Sequence, residues 1–150
     1  MTRSIFLTAM AASALALVVG CEGKADKVSS VPPEARQAIS AAATARYPGN
    51  PTTSRDVQAA AINYPEKKVV EIYNLGNTSI PPGNVWVNGS YMTHVDGIAP
   101  KSYTAVKYGQ LLEAGTPAND LKSLNQPVAK VEIQTDKGLF SVQGPSVKND

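Results

Sequence analysis

Lys68-Val69-Val70-Glu71-Ile72-Tyr73-Asn74-Leu75, followed by Gly76-Asn77-Thr78, Ile80-Pro81-Pro82-Gly83 and Asn84-Val85-Trp86-Val87-Asn88-Gly89, decides the fold. β-branched and aromatic residues come in short runs separated by turn residues, which is the patterning of successive strands. Asn88-Gly89 suits a type I′ hairpin, because both residues tolerate positive φ. As a two-residue loop it predicts Val87 facing Ser90, Trp86 facing Tyr91 and Val85 facing Met92, so the indole and a phenol share one face.

Downstream the pattern continues. Ser102 to Tyr108 alternates, and Gly109 to Gln126 is the longest irregular stretch, with room for a brief helical turn. In Val128 to Thr135 one side carries Ala129, Val131 and Ile133, and the other Lys130, Glu132 and Gln134. Asp136-Lys137-Gly138 then leads to Leu139 to Gln143, so the last two strands form a hairpin. Upstream, Arg55 to Asn63 fits a short strand or one helical turn, and a strand is the reading adopted. Six or seven strands at roughly ten-residue spacing are the expectation for a mainly β body over 57–147. That body is a two-sheet antiparallel β-sandwich of immunoglobulin or fibronectin type III kind.

Before it, Ser30-Val31-Pro32-Pro33-Glu34 reads as a helix start, with Pro in the first turn and Glu at the positive end of the dipole. The helix occupies 32–47, and Tyr47-Pro48-Gly49-Asn50-Pro51 stops it. Ala35, Ile39, Ala42 and Ala43 fall on one face; with Ile39 the only large residue, this stripe predicts a thin contact with the body. Residues 21–31, with Glu22-Gly23-Lys24-Ala25-Asp26-Lys27, have the composition of a flexible tether.

Residues 1–20 have a basic Arg3, an apolar run from Ile5 to Val19, and the small-residue ending Val18-Val19-Gly20-Cys21. At ~1.5 Å per residue the run falls short of a ~30 Å hydrocarbon core, so a signal helix is expected rather than a spanning one. Val-Val-Gly-Cys resembles the lipobox of bacterial lipoprotein precursors. That resemblance implies cleavage between Gly20 and Cys21, diacylglycerol on the Cys21 sulfur, and three acyl chains holding the mature protein to a membrane. Glu22, where an Asp would favour inner-membrane retention, implies the outer membrane, periplasmic face.

Two further resemblances concern the body. Ile72-Tyr73-Asn74-Leu75 with Pro81-Pro82-Gly83-Asn84-Val85-Trp86-Val87-Asn88-Gly89 is similar to the strand-loop-strand opening of small bacterial extracytoplasmic sandwich domains, for which it implies no particular activity. Val31-Pro32-Pro33-Glu34 and Tyr47-Pro48-Gly49 resemble the helical start of PepSY-like periplasmic domains, which would imply a regulatory role; the helix-then-sheet unit is not repeated.

Of 14 basic and 12 acidic residues only Arg3 lies in 1–20, so cleavage leaves a formal net charge of +1. A balance this near zero, with no basic run longer than Lys67-Lys68, gives no reason to expect nucleic acid as a partner. Lipidation would consume the one cysteine, and one histidine cannot build a multi-histidine zinc site. His94 and Asp96 share a strand face, and Ser90 or Ser79 would be needed to complete a triad, but no Gly-x-Ser-x-Gly elbow aims a nucleophile. Glu71 and Glu132 read as exposed cross-strand partners of lysines. No glycine spacing cradles a phosphate, and no cofactor is expected.

The expected function is therefore non-enzymatic: a lipid-anchored envelope module that binds a protein partner, or a glycan or peptidoglycan through exposed aromatics. Trp86, Tyr91, Tyr103 and Tyr108 are the candidate binding residues. Trp86, between two valines, also has the position of a core residue.

Overall fold

The computed structural model describes residues 31–51 and 57–149. The expected signal peptide, Gly20, Cys21 and all of the tether before Val31 lie outside the described residues. One helix, α1 (Pro33–Thr44), precedes nine strands: β1 (Ala59–Tyr64), β2 (Val69–Asn74), β3 (Gly83–Val87), β4 (Tyr91–Val95), β5 (Tyr103–Lys107), β6 (Leu112–Glu113), β7 (Val131–Thr135), β8 (Gly138–Ser141) and β9 (Gln143–Val147). They make a four-stranded sheet in the order β5-β2-β1-β9 and a five-stranded sheet in the order β6-β4-β3-β7-β8. Mainly β architecture in two sheets is thus what the strand patterning leads to.

The inner faces supply the main core. Val70 and Ile72 of β2, Val85 and Val87 of β3, and Val131 and Ile133 of β7 are fully buried, with Tyr91, Val106, Leu111 and Leu124 around them. At about 1.5–3 kcal/mol for each fully buried large aliphatic side chain, this layer is the main source of stability. Asn74, one of two buried asparagines among the described residues, is satisfied: its amide donates to the Thr78 and Ile98 carbonyls at 2.8 and 3.0 Å, and its oxygen accepts from Gly76 N–H.

Four expectations need correction. The β3-β4 hairpin turns at Asn88 and Gly89, both with positive φ, and Ser90 N–H donates to the Val87 carbonyl. Ser90 is nevertheless an extra residue in the loop, so Val87 pairs with Tyr91 and Trp86 with Met92. A one-residue slip reverses the faces, and Tyr91 points into the inter-sheet core while Trp86 points out of it.

Second, the sandwich is not wholly antiparallel. After β8 the chain continues through Val142 into β9, leaves the five-stranded sheet and pairs in parallel with β1. Gly144 permits this, since it has φ +99° and a Cβ there would stand 2.7 Å from the Ala61 carbonyl oxygen.

Third, the helix stops at Thr44, short of the expected 32–47, while its contact with the body is thin as expected. Ala35, Ile39, Ala42 and Ala43 form its inward stripe as expected. Ala42 is fully buried in a second small core with Trp86, Met92 and Leu139 on the outer face of the five-stranded sheet, flanked by Ala45, Tyr47, Leu112 and Leu121. The end of the helix is fixed by Gly115 N–H donating to the Ala42 carbonyl at 2.9 Å.

Fourth, Glu132 is not exposed. It is 0% accessible under the segment that leaves α1, where Tyr47 covers it.

Candidate functional site

Each sheet has an outer face, and the two differ. On the five-stranded sheet the outward residues are capped by α1 and Tyr47. The Tyr47 hydroxyl lies 3.0 and 2.8 Å from the two carboxylate oxygens of Glu132, and Lys130 Nζ lies 3.1 Å from the same carboxylate and 2.9 Å from the Tyr47 oxygen. The ammonium also stands 5.0 Å over the Tyr47 ring, whose edge meets Trp86 at 5.4 Å. Trp86 Nε1 donates to Gln134 Oε1 at 2.8 Å. Hydrogen bonding to Tyr47 first, then the Glu132 carboxylate, holds the Lys130 pKa above its ordinary value. Every charge here has a partner, so the cluster reads as structural.

Among the described residues, no helix covers the outer face of the four-stranded sheet over β2 and β5. Strand alternation puts three rows of side chains there: Ala60-Tyr73-Tyr103, Ile62-Glu71-Ala105 and Tyr64-Val69-Lys107. Tyr73 donates its hydroxyl to Glu71 Oε2 at 2.5 Å, and its pKa is raised by that bond, by desolvation and by the charge of Glu71, with Tyr64 adding to the effect. The Tyr73 and Tyr103 rings stack at 5.1 Å and 26°. Lys67 Nζ stands 5.0 Å over the Tyr64 ring. Tyr103 is 54% exposed on β5, the edge strand.

Of the four aromatic candidates, Tyr103 alone lies on this open face. Trp86 is 1% exposed and cannot stack on a ligand, and Tyr91 is buried between the sheets. Tyr108 is half-buried, donates to Asn63 Oδ1 at 2.7 Å, and lines a shallow cleft of about 790 Å³ with Pro65, Leu124, Pro127 and Val147. Tyr64 and Tyr73 escaped the sequence reading. The signal for Tyr73 is present in the alternation of Val69, Glu71 and Tyr73 against the apolar Val70 and Ile72.

Of the residues weighed for a triad, His94 and Ser90 are held apart. His94 Nδ1 is 3.2 Å from Oδ1 of Asn84, its cross-strand partner, and Ser90 lies beyond the opposite end of β4. Among the described residues no group of three or more His, Cys, Asp or Glu is placed to hold a metal ion, and no helix is long and apolar enough to cross a membrane. Compared with known protein families, with curated proteins and with solved structures, the chain matches none.

Proposed function

We propose that this chain is a bacterial lipoprotein, anchored through acyl chains on Cys21 to the periplasmic face of the outer membrane. In this reading its sandwich is a non-catalytic binding module that presents the open face of the four-stranded sheet to another envelope component. The observation that carries the binding role is the ordered Tyr73-Tyr103 stack around Glu71 on a sheet face that no described helix covers. Solvent-facing tyrosines held by a ring contact and a hydrogen bond lose little freedom when a ligand arrives.

The immunoglobulin or fibronectin type III assignment is supported by strand order. Naming β1, β2, β3, β4, β5, β7 and β8 as A, B, C, C′, E, F and G reproduces an A-B-E sheet facing a C′-C-F-G sheet, with β6 and the parallel β9 as additions. The anchor is supported by Arg3, the apolar run and Val18-Val19-Gly20-Cys21.

Mass spectrometry of the protein purified from bacterial membranes tests the anchor. A chain beginning at an acylated Cys21 is expected, and one retaining Met1 with a free thiol overturns it. For the binding face, envelope extract is cross-linked to the mature protein, and Tyr103→Glu is expected to abolish the adducts formed by the wild type. Adducts unchanged by that variant would remove the open face from the proposal.

A further inference from the structure

We infer that the ligand of the open face is a saccharide, bound at the β5 edge beside Tyr103 and over Ala105; this rests on the binding role proposed above. β5 is the outermost strand, and Tyr73 on its inner neighbour covers one face of the Tyr103 ring, so the other face looks past the sheet edge. A flat ring backed by a second ring is a platform for the apolar C–H face of a pyranose. Next along the edge comes Ala105, directly opposite Glu71 and too short to screen it. Tyr73 takes Glu71 Oε2, while Glu71 Oε1 accepts no hydrogen bond among the described residues and remains for a sugar hydroxyl. Lys107, two residues further on the same face, supplies a donor about 7 Å along the strand from Ala105.

A protein interface fits the same surface less well. The exposed large apolar residues Leu75, Tyr103 and Val147 do not form one patch, since Tyr103 and Val147 stand on opposite edges of the sheet. A stable protein contact needs about 800 Å² on each partner, with a buried apolar centre, whereas the middle row here is Ile62-Glu71-Ala105 with a carboxylate at its centre.

Titration calorimetry of the mature domain with cellotetraose, maltotetraose and the tetramer of β-1,4-linked N-acetylglucosamine tests the site. At least one probe is expected to bind, about tenfold more weakly to Tyr103→Ala. Ala105→Leu, which alters neither the stack nor Glu71, is expected to reduce binding similarly by filling the gap. Trp86 emission, reporting from the outer face of the other sheet beneath α1, is expected to be the same in all three proteins and shows that the variants are folded. Binding that survives Ala105→Leu overturns the assignment, as does failure of all three probes. If the probes fail but Tyr103→Glu still abolishes cross-linking to envelope extract, the saccharide is wrong and the binding face stands. If the cross-links also persist, both are wrong.

Discussion

The Tyr47 hydroxyl reaches both carboxylate oxygens of Glu132 across 85 residues of chain, tying the segment after α1 to the middle of the five-stranded sheet. Tyr47→Phe removes the hydroxyl and leaves the buried carboxylate to Lys130 alone. The expected loss is about 1–3 kcal/mol in urea unfolding, with the slope of the transition unchanged. A double-mutant cycle with Glu132→Gln should show that the two losses are not additive, because both remove one interaction.

Trp86 is the protein's only tryptophan, and its indole lies beneath Ala42 and against Tyr47. Its emission should be blue-shifted and resist acrylamide quenching. Ala42→Arg cannot be accommodated under a fully buried position, so it should push α1 off the sheet, red-shift the emission and cost about 1–3 kcal/mol. The strands should persist in far-UV circular dichroism.

Gly144→Ala places a side chain at φ +99° and against the Ala61 carbonyl. The expected cost is about 1–3 kcal/mol from the backbone conformation, measured as a lowered urea midpoint. Gly109→Ala, at a glycine with open space around its added Cβ, should be close to neutral and serves as the control.

Alkaline pH should destabilise the fold. Lys130 and Tyr73 both have raised folded-state pKa values, Lys130 chiefly through Tyr47 and Tyr73 chiefly through Glu71. A raised value means that the folded state holds its proton more tightly, so the contribution is complete below the unfolded pKa and fades as pH rises through the folded one. Melting temperature should therefore fall above about pH 10, where the unfolded chain releases these protons first. Tyr73→Phe should flatten part of that fall and leave the rest to Lys130.

How far the sequence could be read depended on whether a signal was local. β2, β3 and the β7-β8 hairpin follow from alternation and turn chemistry, and the Ala35-Ile39-Ala42-Ala43 stripe does face the body. Lys130, Glu132 and Gln134 look solvent-facing because polarity on alternate positions ordinarily means exposure. Which sheet a distant helix will cover, and that Tyr47 will follow it there, is encoded in no local window. The Trp86 pairing differs because Ser90 adds one residue to a loop in which Asn88 and Gly89 take the expected positive φ. β9 was missed because Gln143-Gly144-Pro145-Ser146-Val147 has poor strand propensity, and Pro is tolerated there only because β9 is an edge. In the candidate site, Tyr103 was legible by its position on an alternating strand, whereas its stack on Tyr73 needs the β2-β5 register.

The run from Gly138 to Val147 belongs to one layer at its start and to the other at its finish. Neither layer can melt while the other stays whole without tearing this shared ribbon, so denaturation should be a single all-or-none event. A chain cut after Ser141 would lose that link and should unfold at a lower denaturant concentration.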